Sequence, residues 1–361
     1  MIFPTTYPEI IQRIDDIDPI AYGKSRNFID GAVTKLSPYI SRGVISLPMV
    51  KEVILKKYNR YQSEKLLQEL AWREYWQRVW EEKGDLIFSD LKQEQASVNT
   101  HQIPSAIIHA ATEIEAIDHS IQNLYQTGYI HNHCRMYVAS TICNIAKCHW
   151  LQPSKWMYYH LLDGDLASNS LSWQWVAGTF SSKKYYCNQE NINRYCYTSQ
   201  QKTFLDQGYD ILPVLDVPDI LNQTEPFTLT TKLPLTAEPT IDEQLPTLVY
   251  NSYNLDPLWH NDIKANRILL LEPSHYRKYP VSERVLMFMT TLSKNIPDVQ
   301  IYTGEFNDLT ALTGCSKVIY KKHPTSLHYT GESEEYEYLF PNIAGYFPSF
   351  FSYWKRCEAL L

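Results

Sequence analysis

Between His131 and Trp175 the chain sets HNHCRM, a lone Trp150, DGDLASN and WQW into a pattern that otherwise reads as buried helix. Charged, amide and indole groups are costly to bury without partners. Their recurrence within an apolar pattern points to a lined pocket for a large ligand that is both polar and aromatic. Asp163 and Asp165 are two close carboxylates that need donors, and Arg135 is the candidate to neutralise one of them. No metal site is read here. Asp163-Gly-Asp165 lacks the oxygen ligand that a calcium loop needs at its fifth place, where Ala167 stands, and lacks the glycine that should follow. His131 and His133 fall on opposite sides of a helix, which disfavours a chelate.

Other groups are open to two readings. Glu69, Trp72 and Arg73 share a helix face at i, i+3 and i+4, as a functional trio or as an aromatic core helix with an internal ion pair. Asn132, His133, Arg135 and Met136 lie within little more than one turn, as a site or as a polar helix face. Trp150, Trp173 and Trp175 fit a core as readily as a binding wall. Val33 to Ser37 offers backbone amides, two hydroxyls and a cation before a helix start, which suits an anion or a capped turn.

The elements that must carry these residues are mostly helical through the first two hundred positions. Ser37 reads as an N-cap with Pro38 at the first helical position. Residues 63–83 repeat apolar side chains close to a 3.6 period, and 116–128 ends in a glycine C-cap. HNHCRMYVASTICNIAKCHW (131–150) reads as one long helix, and 153–162 follows with proline near its start. From about residue 206 prolines recur without helical period, as in a surface linker. Beyond it, TLVYNSY (247–253), RILLLEP (267–273), VQIYTG (299–304) and KVIYKK (317–322) are strand-like and alternate with helical stretches, the pattern of a parallel α/β sheet. FPSFFSYWKRCEALL reads as a closing helix. The expected architecture is α + α/β: a helical domain over 1–205, a proline-rich linker over 206–246, and a smaller α/β domain over 247–361.

The bulk composition, 44% hydrophobic and 20% charged over 361 residues, is that of a globular protein. The net charge of −7 is uneven: residues 1–205 carry +1 and residues 206–361 carry −8. Any phosphate contact must therefore come from a local patch on the first part. The seven cysteines (134, 143, 148, 187, 196, 315, 357) form no CxxC pair and read as buried, reduced thiols. No basic-then-apolar leader and no run of about 18 apolar residues is present, so a cytoplasmic protein with no membrane partner is expected.

Taken in order, YGKSRNF (22–28), TKLSPYISRGVIS (34–46), ELAWREY (69–75), TGYIHNHCRM (127–136) and LLDGDLASNSLSWQWVAGT (161–179) resemble the FAD-binding helical domain of the DNA photolyase/cryptochrome family, over roughly residues 1–200. The resemblance implies FAD as cofactor and leaves any antenna chromophore unassigned. It implies that Tyr22, Thr34, Lys35, Leu36 and Ser37 hold the pyrophosphate, with Arg73 near the phosphates or ribitol. Arg135 and Asp163 would pair beside the isoalloxazine, with Asp165 at the flavin or ribose and Asn169 at flavin N5. Asn132 would border the cofactor as well as the substrate.

For the substrate, the resemblance implies a lesion pocket made by Glu69, Trp72, Asn132, Met136 and Trp175. Two indoles would flank a pyrimidine dimer flipped from UV-damaged DNA, and Glu69 would stabilise the electron-loaded dimer. Photolyases for (6-4) lesions carry histidines at the places of Asn132 and Met136, so cyclobutane-dimer repair is the implied activity: a carbon–carbon lyase driven by excited reduced FAD. Trp173 and Trp150 match the proximal and middle members of the family's tryptophan path, whose distal member would fall near Ser97. His133 stands where an arginine that contacts DNA is usual. A cryptochrome-like blue-light sensor without repair is the alternative, and an inactive FAD scaffold a third. Family members usually carry an α/β domain ahead of the FAD domain; here about twenty residues precede Tyr22 and RILLLEPSHYRKYPVSERVLMFM resembles part of that domain, so a permuted domain order is expected.

Overall fold

The computed structural model describes residues 3–314 and 316–361; Cys315, one of the expected buried thiols, lies outside them. The chain opens with α1 (Tyr7–Asp15), α2 (Pro19–Ser25), α3 (Ser37–Ser41) and α4 (Leu47–Lys57). The capping residue of α3 is Leu36 rather than Ser37, and its side chain makes no cap bond. The 24-residue α5 (Arg60–Lys83) follows. It buries Leu66, Leu67, Leu70, Ala71, Tyr75, Trp76, Val79 and Trp80, the stripe that the 3.6 period marks. β1 (Ile103–Pro104), α6 (Ser105–Ile108), α7 (Glu115–Thr127), α8 (Asn132–Ser140), α9 (Leu151–His160), α10 (Leu166–Ala177), α11 (Gln189–Cys196), α12 (Asp219–Asn222) and β2 (Thr224–Glu225) complete the helical part. No helix among the described residues is long and apolar enough to cross a membrane.

The expected single helix over 131–150 is shorter. After Ser140 the chain widens into a π-turn over Thr141–Ile145, in which the Ala146 N–H donates to the Thr141 carbonyl at 2.9 Å. Lys147 then takes φ +53°, which ends the helix. The Asn144 amide donates to the Val176 and Tyr185 carbonyls at 3.0 and 2.7 Å, so the wide turn spends its polar side chain on neighbouring backbone. Cys148 pairs with Thr100 in a β-bridge, and Trp150 opens α9 instead of ending α8.

The α/β part contains β3 (Thr247–Tyr250), β4 (Asn266–Leu271), α13 (Pro273–Lys278), α14 (Glu283–Leu292), β5 (Val299–Thr303), α15 (Phe306–Leu312), β6 (Val318–Lys321), β7 (Glu332–Glu334) and the closing α16 (Phe350–Glu358). Among the described residues the sheet order is β5-β4-β3-β6-β7, parallel throughout. β3 and β4 are buried along their whole length, as parallel strands covered on both faces must be. β7 is a short, charged edge strand that periodicity could not reveal.

Two compact units emerge, and they are drawn differently from the expected divisions at 205 and 246. One comprises residues up to 19, 34–74 and 229–361; the other comprises 20–33 and 75–228. The reason is visible inside the first unit. The Tyr7 N–H donates to Asn295 Oδ1 at 2.8 Å, Tyr39 meets Phe288, and the Leu255 N–H donates to the Arg42 carbonyl at 2.9 Å. Fully buried Glu74 accepts the backbone N–H groups of Leu339 and Phe340 and the Tyr353 hydroxyl. The N-terminal helices are thereby part of the α/β core. The proline-rich segment is also pinned. Its first half buries Leu212 and Leu221 and pairs β2 with β1 in the second unit. Its later half bonds through Thr231, Thr236, Thr240 and Asp242 to Val281, Thr303, Gln300 and Asn266 in the first.

In the second unit, Gly128 ends α7 at φ +74°, and a Cβ there would lie 2.7 Å from Leu162 Cγ. The Leu162 N–H donates to the Gly128 carbonyl at 2.8 Å, so this turn carries the loop that leads into Asp163. Gly128→Ala is expected to cost about 1–2 kcal/mol from the left-handed backbone alone, more with the clash. The urea midpoint should fall at unchanged m-value; an unchanged midpoint would refute the role given to this turn.

Candidate functional site

In the second unit, Arg135 on α8 donates from Nη2 to both oxygens of Asp163, at 3.0 and 2.8 Å, and from Nε to the Ile130 carbonyl at 2.9 Å. Asp163 is only 4% exposed, so its charge depends on this guanidinium. The Tyr129 ring lies under the guanidinium, 5.5 Å from it, and burial pushes the Tyr129 phenol up to about 12. Asp165 caps α10: Oδ1 accepts the Ser168 N–H, and Oδ2 accepts the Gln77 side-chain amide. The two carboxylates thus have different tasks, one held by charge and one by helix capping.

Asn169, on the first turn of α10, donates one amide hydrogen to the Ser154 carbonyl at 2.9 Å, which leaves it a second hydrogen and its own oxygen. The neighbouring Ser168 hydroxyl is buried without a hydrogen-bond partner. Gln174, fully buried between the two tryptophans of WQW, donates to the Ile87 carbonyl and accepts the Leu91 N–H. Its task is structural. Trp173 and Trp150 are 3% and 0% exposed and belong to one apolar core, whereas Trp175 is half-buried beside Tyr185. The Trp150 indole donates to Asp90 Oδ1 at 2.6 Å, and His149 approaches the same oxygen at 3.2 Å. Asn132 is exposed and Met136 half-buried on α8. Tyr22, on α2, is half-buried, and its carbonyl accepts the Arg26 N–H.

His133 stacks on Tyr195 with ring centres 4.7 Å apart. Burial, aided by repulsion from His131 and Arg26, pushes its imidazole down to about 4. At neutral pH it is an uncharged stacking residue, not a stand-in for a basic DNA contact.

In the first unit, Arg73 donates to Ser41 Oγ at 2.8 Å and Glu69 pairs with Lys65 at 3.3 Å, so no Glu69–Arg73 pair is needed to satisfy either. The Trp72 ring stacks on Phe350 at 3.7 Å and 10°, so one of its two faces is already covered by α16. The stretch Thr34–Ser37 behaves as a capped turn. Thr34 Oγ1 accepts the Leu36 N–H, Lys35 is exposed at φ +53°, and α3 has only five residues to align. Sequence reasoning missed Gln77, Asp90 and Phe350. Gln77 had a signal, lying one turn beyond Arg73 on α5. Asp90 and Phe350 are remote in sequence from the residues they touch and had none.

The polar turn, the buried ion pair and the capped helix occur together within one helical unit. Residues 66–210 match the family model described as the FAD binding domain of DNA photolyase. The chain is 29% identical over 169 residues to the deoxyribodipyrimidine photo-lyase of Synechococcus sp., covering 44% of this chain and 35% of that protein. It is 28% identical over 152 residues to the enzyme of that name from Streptomyces griseus, covering 41% and 32%. Cryptochrome DASH of Danio rerio is 30% identical over 167 residues, covering 44% and 32%. The matches thus span about a third of the length of these relatives.

Two outcomes follow from this geometry. Arg135→Met should destabilise the protein by about 3–5 kcal/mol, because it strands a buried carboxylate. The double variant with Asp163→Leu should recover part of that loss; an additive cycle in urea would show the pair to be uncoupled. For His133, the unfolded chain takes a proton near 6.5 and the folded one only near 4. Its contribution to stability is therefore full above 6.5, declines as pH falls from 6.5 to 4, and does not change further below that. An NMR titration should find its midpoint near 4; a midpoint at the ordinary value would contradict the buried stack.

Proposed function

We propose that this protein is a light-driven DNA repair flavoprotein that splits cyclobutane pyrimidine dimers, using excited reduced FAD as the electron source. The observation that carries the reading is the buried Arg135–Asp163 pair, next to a capped turn that bears Asn169, inside the segment matched by the FAD-binding domain model. The residues fit a flavin. Arg135 keeps N–H donors beyond its two partners, Asn169 keeps one amide hydrogen, and the Ser168 hydroxyl is buried without a bond. These suit the carbonyl and imide edge of a planar heterocycle. When bound, FAD supplies the light absorption and the electron.

The chain's own residues do the rest in this proposal. Arg135, Asp163, Asp165 and Asn169 bind and orient the isoalloxazine. Tyr22, Thr34, Lys35, Leu36, Ser37 and Arg73 are assigned to the phosphate and ribitol side. Trp175 and Trp72 are assigned to the dimer, with Glu69, Asn132 and Met136 at its polar edge, and Asn132 also bordering the cofactor. Trp173 and Trp150 bring electrons to oxidised cofactor, and Asp90 is the carboxylate that takes the Trp150 indole proton. UV-damaged DNA in the cytoplasm is the partner, and Asn132 with Met136 favours the cyclobutane lesion.

A cryptochrome-like light sensor is the second reading. The neutral, stacked His133 and the Phe350 ring on Trp72 favour it, because both reduce what the protein offers to DNA. Reduced protein should restore dimer-containing DNA under blue light and not in the dark. Intact dimers after illumination would leave the sensor reading in place. Trp173→Phe should strongly slow photoreduction of oxidised FAD, followed by the loss of its visible absorption; an unchanged rate would remove Trp173 from the path.

A further inference from the structure

The helix that carries Arg135 also carries a thiol that the function above does not use. Cys134, 2% exposed on α8, has its Sγ 3.9 Å from Sγ of Cys196, the last residue of α11. Cys196 is half-buried and open to small solutes, whereas Cys143, Cys148 and Cys187 are buried. The residue after Cys196, Tyr197, turns at φ +56°, so α11 stops at the sulfur contact. The buried His131 imidazole lies beside the pair.

The electrostatics agree with this geometry. The S–H of Cys196 holds the Cys134 thiol well below its usual range, with His131 and Ser120 acting in the same direction against burial. The Cys196 thiol is correspondingly pushed up by its partner. Burial pushes Cys187 up to about 12, so it stays a thiol. The contact therefore favours ionisation of one of the two thiols, and the thiolate is the nucleophilic form of cysteine.

We propose that Cys134 and Cys196 are a reversible redox pair that closes to an intramolecular disulfide when hydrogen peroxide reaches the protein. The thiolate of the pair attacks a peroxide oxygen; the O–O bond breaks, and the departing hydroxide takes a proton to become water. The sulfenic acid so formed is attacked by the other sulfur. Its S–O bond breaks, and the oxygen leaves as a second water with the remaining thiol proton. Two thiols lose two electrons, and one peroxide gains them. Closure needs the sulfurs to move from 3.9 Å to about 2.0 Å, a shift within reach of side-chain rotation. The product ties α8 to α11 beside the His133–Tyr195 stack. That this also ties peroxide to the cofactor helix rests on the FAD reading; the disulfide itself does not.

The test uses the full chain and reads thiols, not repair. After mild peroxide treatment and alkylation under denaturing conditions, peptide mapping should find the segments of Cys134 and Cys196 linked. Two thiols should be lost per chain, and dithiothreitol should restore both. In Cys196→Ser the link should be replaced by a Cys134 sulfenic acid that dimedone traps. Recovery of both residues as alkylated thiols from treated wild-type protein would overturn the proposal, as would linkage of Cys134 to Cys187 instead. Either failure leaves the FAD assignment untouched, because no outcome is read through the cofactor.

Discussion

A carboxylate as buried as Asp163 cannot remain charged without a guanidinium beside it, and much of the second unit is arranged to keep one there. Arg135 is aimed by its bond to the Ile130 carbonyl, and that loop is set by the left-handed turn at Gly128. The Gly128 carbonyl in turn holds Leu162, the residue before Asp163. Ion pair, turn and loop therefore form one closed circuit. Asp165 continues it by capping α10, which orients Asn169 and the WQW segment. Loss of any member would disturb the polar wall and the helix that follows.

Polar side chains in this unit differ in how much of their hydrogen-bonding capacity the scaffold uses. Gln174, Asn144 and Gln77 spend amide hydrogens on backbone or on Asp165, and Asn144 in this way ties the buried π-turn to its neighbours. Asn169 and Ser168 retain unspent hydrogen-bonding capacity.

The first unit rests on a different anchor. Glu74 is fully buried and gathers two backbone N–H groups and the Tyr353 phenol, joining α5 to the segment from Leu339 to Tyr353. The same docking lays Phe350 against Trp72. α16 is thus a structural part of the face that carries Glu69, Trp72 and Arg73.

Periodicity and capping made most of the helices and the four strands β3 to β6 legible, because each depends on residues a few positions apart; the order of strands in the sheet was not. The pairing of Arg135 with Asp163 was also legible, since a buried acid must find a base and few bases are near. The end of α8 was not: a backbone turn stabilised by Asn144 reaching Val176 and Tyr185 leaves no local trace. Nor were Asp90 under Trp150, Phe350 on Trp72 or Cys196 against Cys134, each made by residues tens to hundreds of positions apart. The sequence by itself determined which residue types must be satisfied. Only the tertiary structure decided which distant partner satisfies them, because burial and direction are properties of the packed chain and not of any segment.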